Sequence, residues 1–140
     1  MYGFMLNKLG EDRIGRGKMA KTVLLIEDEV NIIEALSFIL SRDGWDVVTH
    51  SNGHDANEVI TRREPDLVVL DVMLPGKSGF DILRDLRGDP RHQNRPVLML
   101  TARGQSKDRD MAEQLGVSKF MTKPFSNAEV RDAVNELLGG

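Results

Sequence analysis

Cysteine is missing from all 140 residues. That absence excludes a disulfide framework, a thiol nucleophile and a thiolate metal site, and it favours a reducing compartment. Long hydrophobic runs are missing too. None approaches the ~20 residues of a membrane-spanning helix, and the N-terminus lacks the apolar core of a signal peptide, so a soluble cytoplasmic protein without membrane contact is expected. Charge of one sign is scarce: 19 basic residues stand against 22 acidic ones, a net charge of -3 with no basic stripe. Direct nucleic-acid binding is therefore not expected, and any such role would need another polypeptide. His50, His54 and His92 have no metal-ligand spacing and read as surface residues, and Arg87, Arg91, His92 and Arg95 read as a solvated basic turn. The length fits one domain able to bury roughly two-thirds of its unfolded surface.

Residues 1–19 have no sustained period and four glycines, which argues against a packed element. They carry Lys8, Arg13, Arg16 and Lys18 against Glu11 and Asp12, a net +2 that leaves -5 for the rest. The expectation is an N-terminal extension over 1–19 and a single domain over 20–140, with Met19 a natural start. From Thr22 onward, short apolar runs alternate with amphipathic stretches. Strands are predicted at Val23–Ile26, Trp45–Thr49, Leu67–Leu70, Pro96–Thr101 and Lys119–Thr122. Helices are predicted at Val30–Arg42, Ser51–Arg63, Gly79–Arg87, Ser106–Leu115 and Ser126–Leu138. Gly44 stops the first, and Ser126 with Glu129 forms a capping box for the last. Five strands alternating with five helices imply a three-layer α/β sandwich around a parallel sheet. Its expected strand order is 2-1-3-4-5, the flavodoxin-like arrangement.

The central stretch is Leu67–Leu70, a run bounded by Pro65 and by Pro75-Gly76, as expected of a strand buried on both faces. Asp71 is the first polar group after it. The same carboxyl edge carries Glu27 and Asp28 after the first strand, Thr101 after the fourth and Lys123 after the fifth. Ligands in open α/β sheets bind at this edge, where the strand order reverses. Three converging carboxylates repel unless protonated or bridged by a cation, and an all-oxygen site suits Mg²⁺, with Mn²⁺ able to substitute. A lone acid at a strand end is usually a helix N-cap, and Asp28 taken alone would be read so. The hydroxyl of Thr101 and the ammonium of Lys123 beside the acids are what a phosphoryl group would need. Lys123 also precedes Pro124, and X-Pro bonds are cis in ~5% of cases.

At these residues the chain resembles the receiver (CheY-like) domain of two-component response regulators. Leu25-Ile26-Glu27-Asp28-Glu29, Leu70-Asp71-Val72-Met73-Leu74-Pro75 with Gly79, Leu100-Thr101-Ala102 and Phe120-Met121-Thr122-Lys123-Pro124-Phe125 carry the likeness, in order over residues 22–138. The resemblance implies that Asp71 accepts a phosphoryl group from a histidine kinase or histidine phosphotransfer protein, nucleophilic catalysis by a carboxylate. It implies that Asp28, Glu27, Asp71 and the backbone carbonyl of Met73 hold Mg²⁺. Lys123 would pair with a phosphoryl oxygen, and Thr101 would move to hydrogen-bond another. Phe120 stands at the switch aromatic position, so the surface of the fourth helix, fifth strand and fifth helix would change and control a protein partner, as a monomer or a phosphorylation-dependent dimer. Such a module is not an enzyme beyond its own phosphorylation and dephosphorylation.

Met73 and Arg103, two residues beyond Asp71 and Thr101, flank the route of water to the phosphoryl group and are expected to lengthen its lifetime. Met73, Ala102 and Arg103 are similar to the receivers of winged-helix regulators, although Ser118 and Lys119 stand where those commonly carry acids. Because Gly139-Gly140 directly follows the last helix, a stand-alone regulator is expected, with a receiver cut from a longer DNA-binding regulator as the alternative. A Mg²⁺-dependent hydrolase would use a similar nucleophile but needs a cap or substrate pocket, and no insertion is long enough to supply one.

Overall fold

The computed structural model describes residues 20–102 and 106–139. Five strands, β1 Thr22–Ile26, β2 Asp46–His50, β3 Leu67–Asp71, β4 Val97–Thr101 and β5 Lys119–Thr122, alternate with α1 Val30–Arg42, α2 Ala56–Arg63, α3 Gly79–Arg87, α4 Ser106–Gln114 and α5 Asn127–Leu138. All strand pairs are parallel, in the order β2-β1-β3-β4-β5. The expected architecture is the observed one.

Alternation along each inner strand feeds two cores. Val23 and Leu25 of β1, with Leu67 and Val69 of β3, pack against Leu36 and Leu40 of α1 and Val130 and Val134 of α5. Leu24 and Ile26, with Val68 and Leu70, face Val59 and Ile60 of α2 and Ile82, Leu83 and Leu86 of α3. Side chains of a strand point alternately to opposite faces, so a strand covered on both sides must be apolar throughout. All five residues of both β3 and β4 are buried.

Local signals agree with the elements they start. Ser126 and Glu129 exchange both capping-box hydrogen bonds at α5, and Ser78 caps α3 by accepting the Asp81 N–H. Gly44 ends α1 at φ +96°. Most other boundaries match expectation to within a residue, but α2 begins at Ala56, not Ser51. The intervening residues instead form a turn against the loop after β3, with the Gly53 N–H donating to Pro75 O at 2.9 Å. The approach is so close that a Cβ on Gly53 would lie 2.0 Å from Lys77 O.

The basic turn also departs from expectation. His92 is buried, and Arg87 folds back to donate to Gly116 O at 2.8 Å, Arg95 O at 2.9 Å and His92 O at 3.2 Å. Burial, then the neighbouring Arg95 cation, holds His92 below the usual histidine pKa. Its Nδ1 accepts from Arg95 Nε at 3.1 Å, which leaves Nε2 to donate to Thr61 Oγ1 at 3.0 Å. His50 is half-buried and pairs with Asp55 at 2.7 Å. Residues 1–19 lie outside the described residues. Among the described residues, no helix is long and apolar enough to cross a membrane.

Candidate phosphoacceptor and metal site

Strand register assembles the site. Ile26 pairs with Leu70, so Glu27 leaves β1 level with Asp71 at the end of β3. Asp71 pairs with Leu100, which puts Thr101 one residue further out, and Thr101 pairs with Thr122, just before Lys123. The Lys123 N–H donates to Thr101 O at 2.8 Å, continuing that pairing past the strand. Gly79, at the start of α3, lets the helix begin directly over β3: its N–H donates to Val72 O at 2.9 Å, and a Cβ there would lie 2.3 Å from Asp71 O.

One carboxylate oxygen from each of Glu27, Asp28 and Asp71 lies within 4.8 Å of the others. Glu27 is fully buried and Asp71 is 2% exposed, whereas Asp28 is open to solvent. The Glu27 carboxylate is pinned, because its Oε2 accepts the N–H of Asp28 at 3.2 Å and of Glu29 at 3.1 Å. Its Oε1 is buried without an aligned hydrogen bond, although the Lys123 Nζ stands 3.0 Å away. The same ammonium is 3.6 Å from Asp71 Oδ1 and 2.7 Å from Glu29 Oε1. The Lys123–Pro124 peptide bond is cis.

Charge is out of balance here. Burial, and after it the charge of Glu27, push Asp71 up to about 7, against the opposing pull of Lys123 and the Met73 N–H. The N–H contact itself is long, 3.4 Å to Asp71 Oδ1. Burial also works against the Lys123 ammonium, but the attraction of Glu29, Glu27 and Asp71 outweighs it and raises the lysine pKa. One ammonium thus faces three carboxylates, two of them buried, with Asp28 a further acid beside them. Hard oxygen donors, an excess of negative charge and a buried Glu27 oxygen without an aligned donor together fit a divalent cation such as Mg²⁺.

The other residues singled out from sequence fall as follows. Thr101 is buried at the end of β4. Met73 projects its side chain to solvent beside the acids, 60% exposed. Phe120 on β5 is partly buried against the core beneath α4, with the Arg109 guanidinium 5.0 Å from its ring centroid. Arg103 lies outside the described residues. Glu29 is the participant that the sequence reading quoted but gave no role. The available signal was a long acid at the start of α1 where a short capping side chain is usual.

A family model for the response regulator receiver domain matches residues 23–135. The chain belongs to that family. As a receiver it is similar over nearly its whole described length to several solved structures. The BeF₃-activated N-terminal receiver domain of RstA from Klebsiella pneumoniae is 31% identical, with 85% of this chain and 99% of that chain covered and a TM-score of 0.79. The receiver domain of a sensor histidine kinase from Pseudomonas aeruginosa, described with a magnesium ion in its active-site cleft, is 26% identical, with 86% and 99% covered and a TM-score of 0.79. The chemotaxis protein CheY4 of Vibrio cholerae is 25% identical, with 86% and 100% covered and a TM-score of 0.78. Phosphorylation and Mg²⁺ binding at an acidic pocket are general to receivers, which act as signalling modules between histidine kinases and downstream targets.

Proposed function

We propose that this receiver takes a phosphoryl group on Asp71 from a phosphohistidine of a histidine kinase or phosphotransfer protein, and that residues 20–140 form the receiver unit with 1–19 as an extension. The observation that carries this reading is the convergence of Asp71, Glu27, Asp28 and Lys123, four residues from three separate strand ends. An Asp71 carboxylate oxygen attacks phosphorus, the bond from phosphorus to the imidazole nitrogen breaks, and the electron pair of that bond stays with the imidazole. Mg²⁺ held by Glu27, Asp28, Asp71 and the Met73 carbonyl would keep the carboxylates ionised and offset charge on the phosphoryl oxygens. Lys123, already 3.6 Å from Asp71 Oδ1, needs only a small shift to meet one of those oxygens. The Thr101 hydroxyl, next in register, donates to another.

Release follows from the same packing. When Thr101 moves toward the phosphoryl group it vacates space beside Phe120, and the ring can enter it. The surface of α4, β5 and α5 then presents a different face to a protein partner in the cytoplasm. The exposed Met73 side chain crowds the approach of water to Asp71 and supports a long-lived phosphoryl group, to which Arg103, outside the described residues, would add.

The test is incubation with Mg²⁺ and acetyl phosphate or phosphoramidate, read by intact mass. The expected result is a labile gain of one phosphoryl group, lost in Asp71→Asn. Multiple turnover of a generic phosphomonoester would instead make the protein a hydrolase.

A further inference from the structure

Glu29 sits where α1 starts, in extended backbone at φ -81° and ψ 116°, yet its side chain makes no capping hydrogen bond and the first turn of α1 holds no acid. Serine, threonine, aspartate or asparagine normally takes this place, because a short side chain can turn back onto the free N–H groups. The longer glutamate reaches away from its own helix, across 94 residues of sequence, to accept a hydrogen bond from Lys123 Nζ at 2.7 Å. Of the three carboxylates around that ammonium, this is the shortest contact and the one aligned as a hydrogen bond.

The three acids differ in their freedom to let go. Glu27 is fully buried and pinned by two backbone N–H groups, and Asp71 is fixed at the end of β3. The Glu29 side chain is 59% exposed, so water can replace the lysine when the pair opens. We propose that Glu29 is a positioning residue for phosphoryl acceptance: its carboxylate holds the Lys123 ammonium toward the rim of the site and competes for it with an oxygen of the arriving phosphoryl group. The inference rests on Asp71 being the acceptor. Its consequence is that the chain carries a built-in brake, since Lys123 must break its best contact before it can serve the phosphoryl group.

Two substitutions separate contact from charge. Glu29→Gln removes the charge. Glu29→Asp keeps it, but with a side chain shorter by one C–C bond, about 1.5 Å, the carboxylate no longer reaches Lys123. The full chain with Mg²⁺ is titrated calorimetrically with beryllofluoride, the phosphoryl analogue, and the rate of acetyl phosphate incorporation on Asp71 is followed in parallel by mass, where a P–O bond to acetate breaks as the Asp71–phosphorus bond forms. Both variants are expected to bind beryllofluoride about two- to fivefold more tightly than the native chain, the range set by opening an ion pair with one exposed member. In a Lys123→Met background, Glu29→Gln is expected to change nothing. If Glu29→Asp matches the native protein while Glu29→Gln does not, simple charge repulsion explains the effect and the brake is refuted. Equal affinity in all three refutes it as well. Failure of the native chain to take either beryllofluoride or a phosphoryl group would remove the reading of Asp71 itself, a distinct outcome visible before any Glu29 variant is compared. Thermal unfolding of each variant separates these results from loss of fold.

Discussion

A buried carboxylate pushed from 3.8 up to about 7 is a liability in the metal-free fold, and Asp71 therefore makes a measurable claim about stability. Below pH 4 the group is protonated whether the chain is folded or not, and it contributes no difference. Between pH 4 and 7 the folded protein binds a proton that the unfolded chain has released, so stability falls as pH rises through this window. Above pH 7 the full cost is present. At 1.36 kcal/mol per pKa unit the ceiling is about 4 kcal/mol, with the proton held by Asp71 in the field of Glu27.

Asp71→Asn removes the charge and keeps an oxygen for the Met73 N–H. In EDTA at pH 8 the variant is expected to unfold above the native chain by as much as roughly 12–20 °C at that ceiling, taking about 3–5 °C per kcal/mol for a domain of this size. At pH 4.5 the gap should nearly close. Added Mg²⁺ should raise the melting temperature of the native protein and act far less on the variant, because one ligand has lost its charge. Calorimetry or circular dichroism across pH 4.5–8 would measure all of this. A variant no more stable than the native chain at pH 8, or a gap independent of pH, would show that the site does not store the repulsion that motivates the metal.

The same protonation governs the metal: Mg²⁺ affinity should be roughly tenfold weaker at pH 6 than at pH 8, with protons released on binding, and a flat calorimetric profile over that range would contradict it. Met73→Asn, replacing the exposed thioether beside Asp71, is expected to shorten the phosphoryl lifetime, and unchanged hydrolysis of the phosphoprotein would dispose of the shielding role. Arg87→Ala should lower stability by about 2–3 kcal/mol in urea unfolding, because one guanidinium serves the carbonyls of His92, Arg95 and Gly116. Arg87→Lys should not rescue it, since an ammonium lacks the fork. A loss under about 0.5 kcal/mol, the ordinary size for a surface change, would mean that the loop holds itself.

The fold was legible because its signals are local and repeat. Each strand is a short apolar run, each helix an amphipathic one, and turns such as Pro75-Gly76 and caps such as Ser126 with Glu129 mark the joins. Where prediction slipped, a contact distant in sequence was involved. Ser51–Asp55 holds Asn52-Gly53, a turn signal in its own right that the helix expectation passed over, and the turn packs more than twenty residues away at Lys77 O. His92 failed likewise: a histidine among arginines looks solvated until Arg87 folds back and Thr61 supplies a partner from α2.

The site divides along the same line. Parallel strands deliver their carboxyl ends to one edge whatever the details of packing, so Glu27, Asp28, Asp71, Thr101 and Lys123 could be gathered from the strand pattern alone. The direction in which Lys123 leans is another kind of fact. It depends on which of several acids gives the ammonium the best-aligned contact, and that competition is decided by side-chain length and by which backbone N–H groups are already occupied. Glu27 spends one oxygen on the N–H groups of Asp28 and Glu29, while Glu29 leaves the start of α1 uncapped and reaches the lysine. A residue that breaks a local preference in this way marks a place where a distant partner has prevailed over the helix. The broken cap at Glu29 is therefore the sequence feature from which the pairing with Lys123 could have been sought.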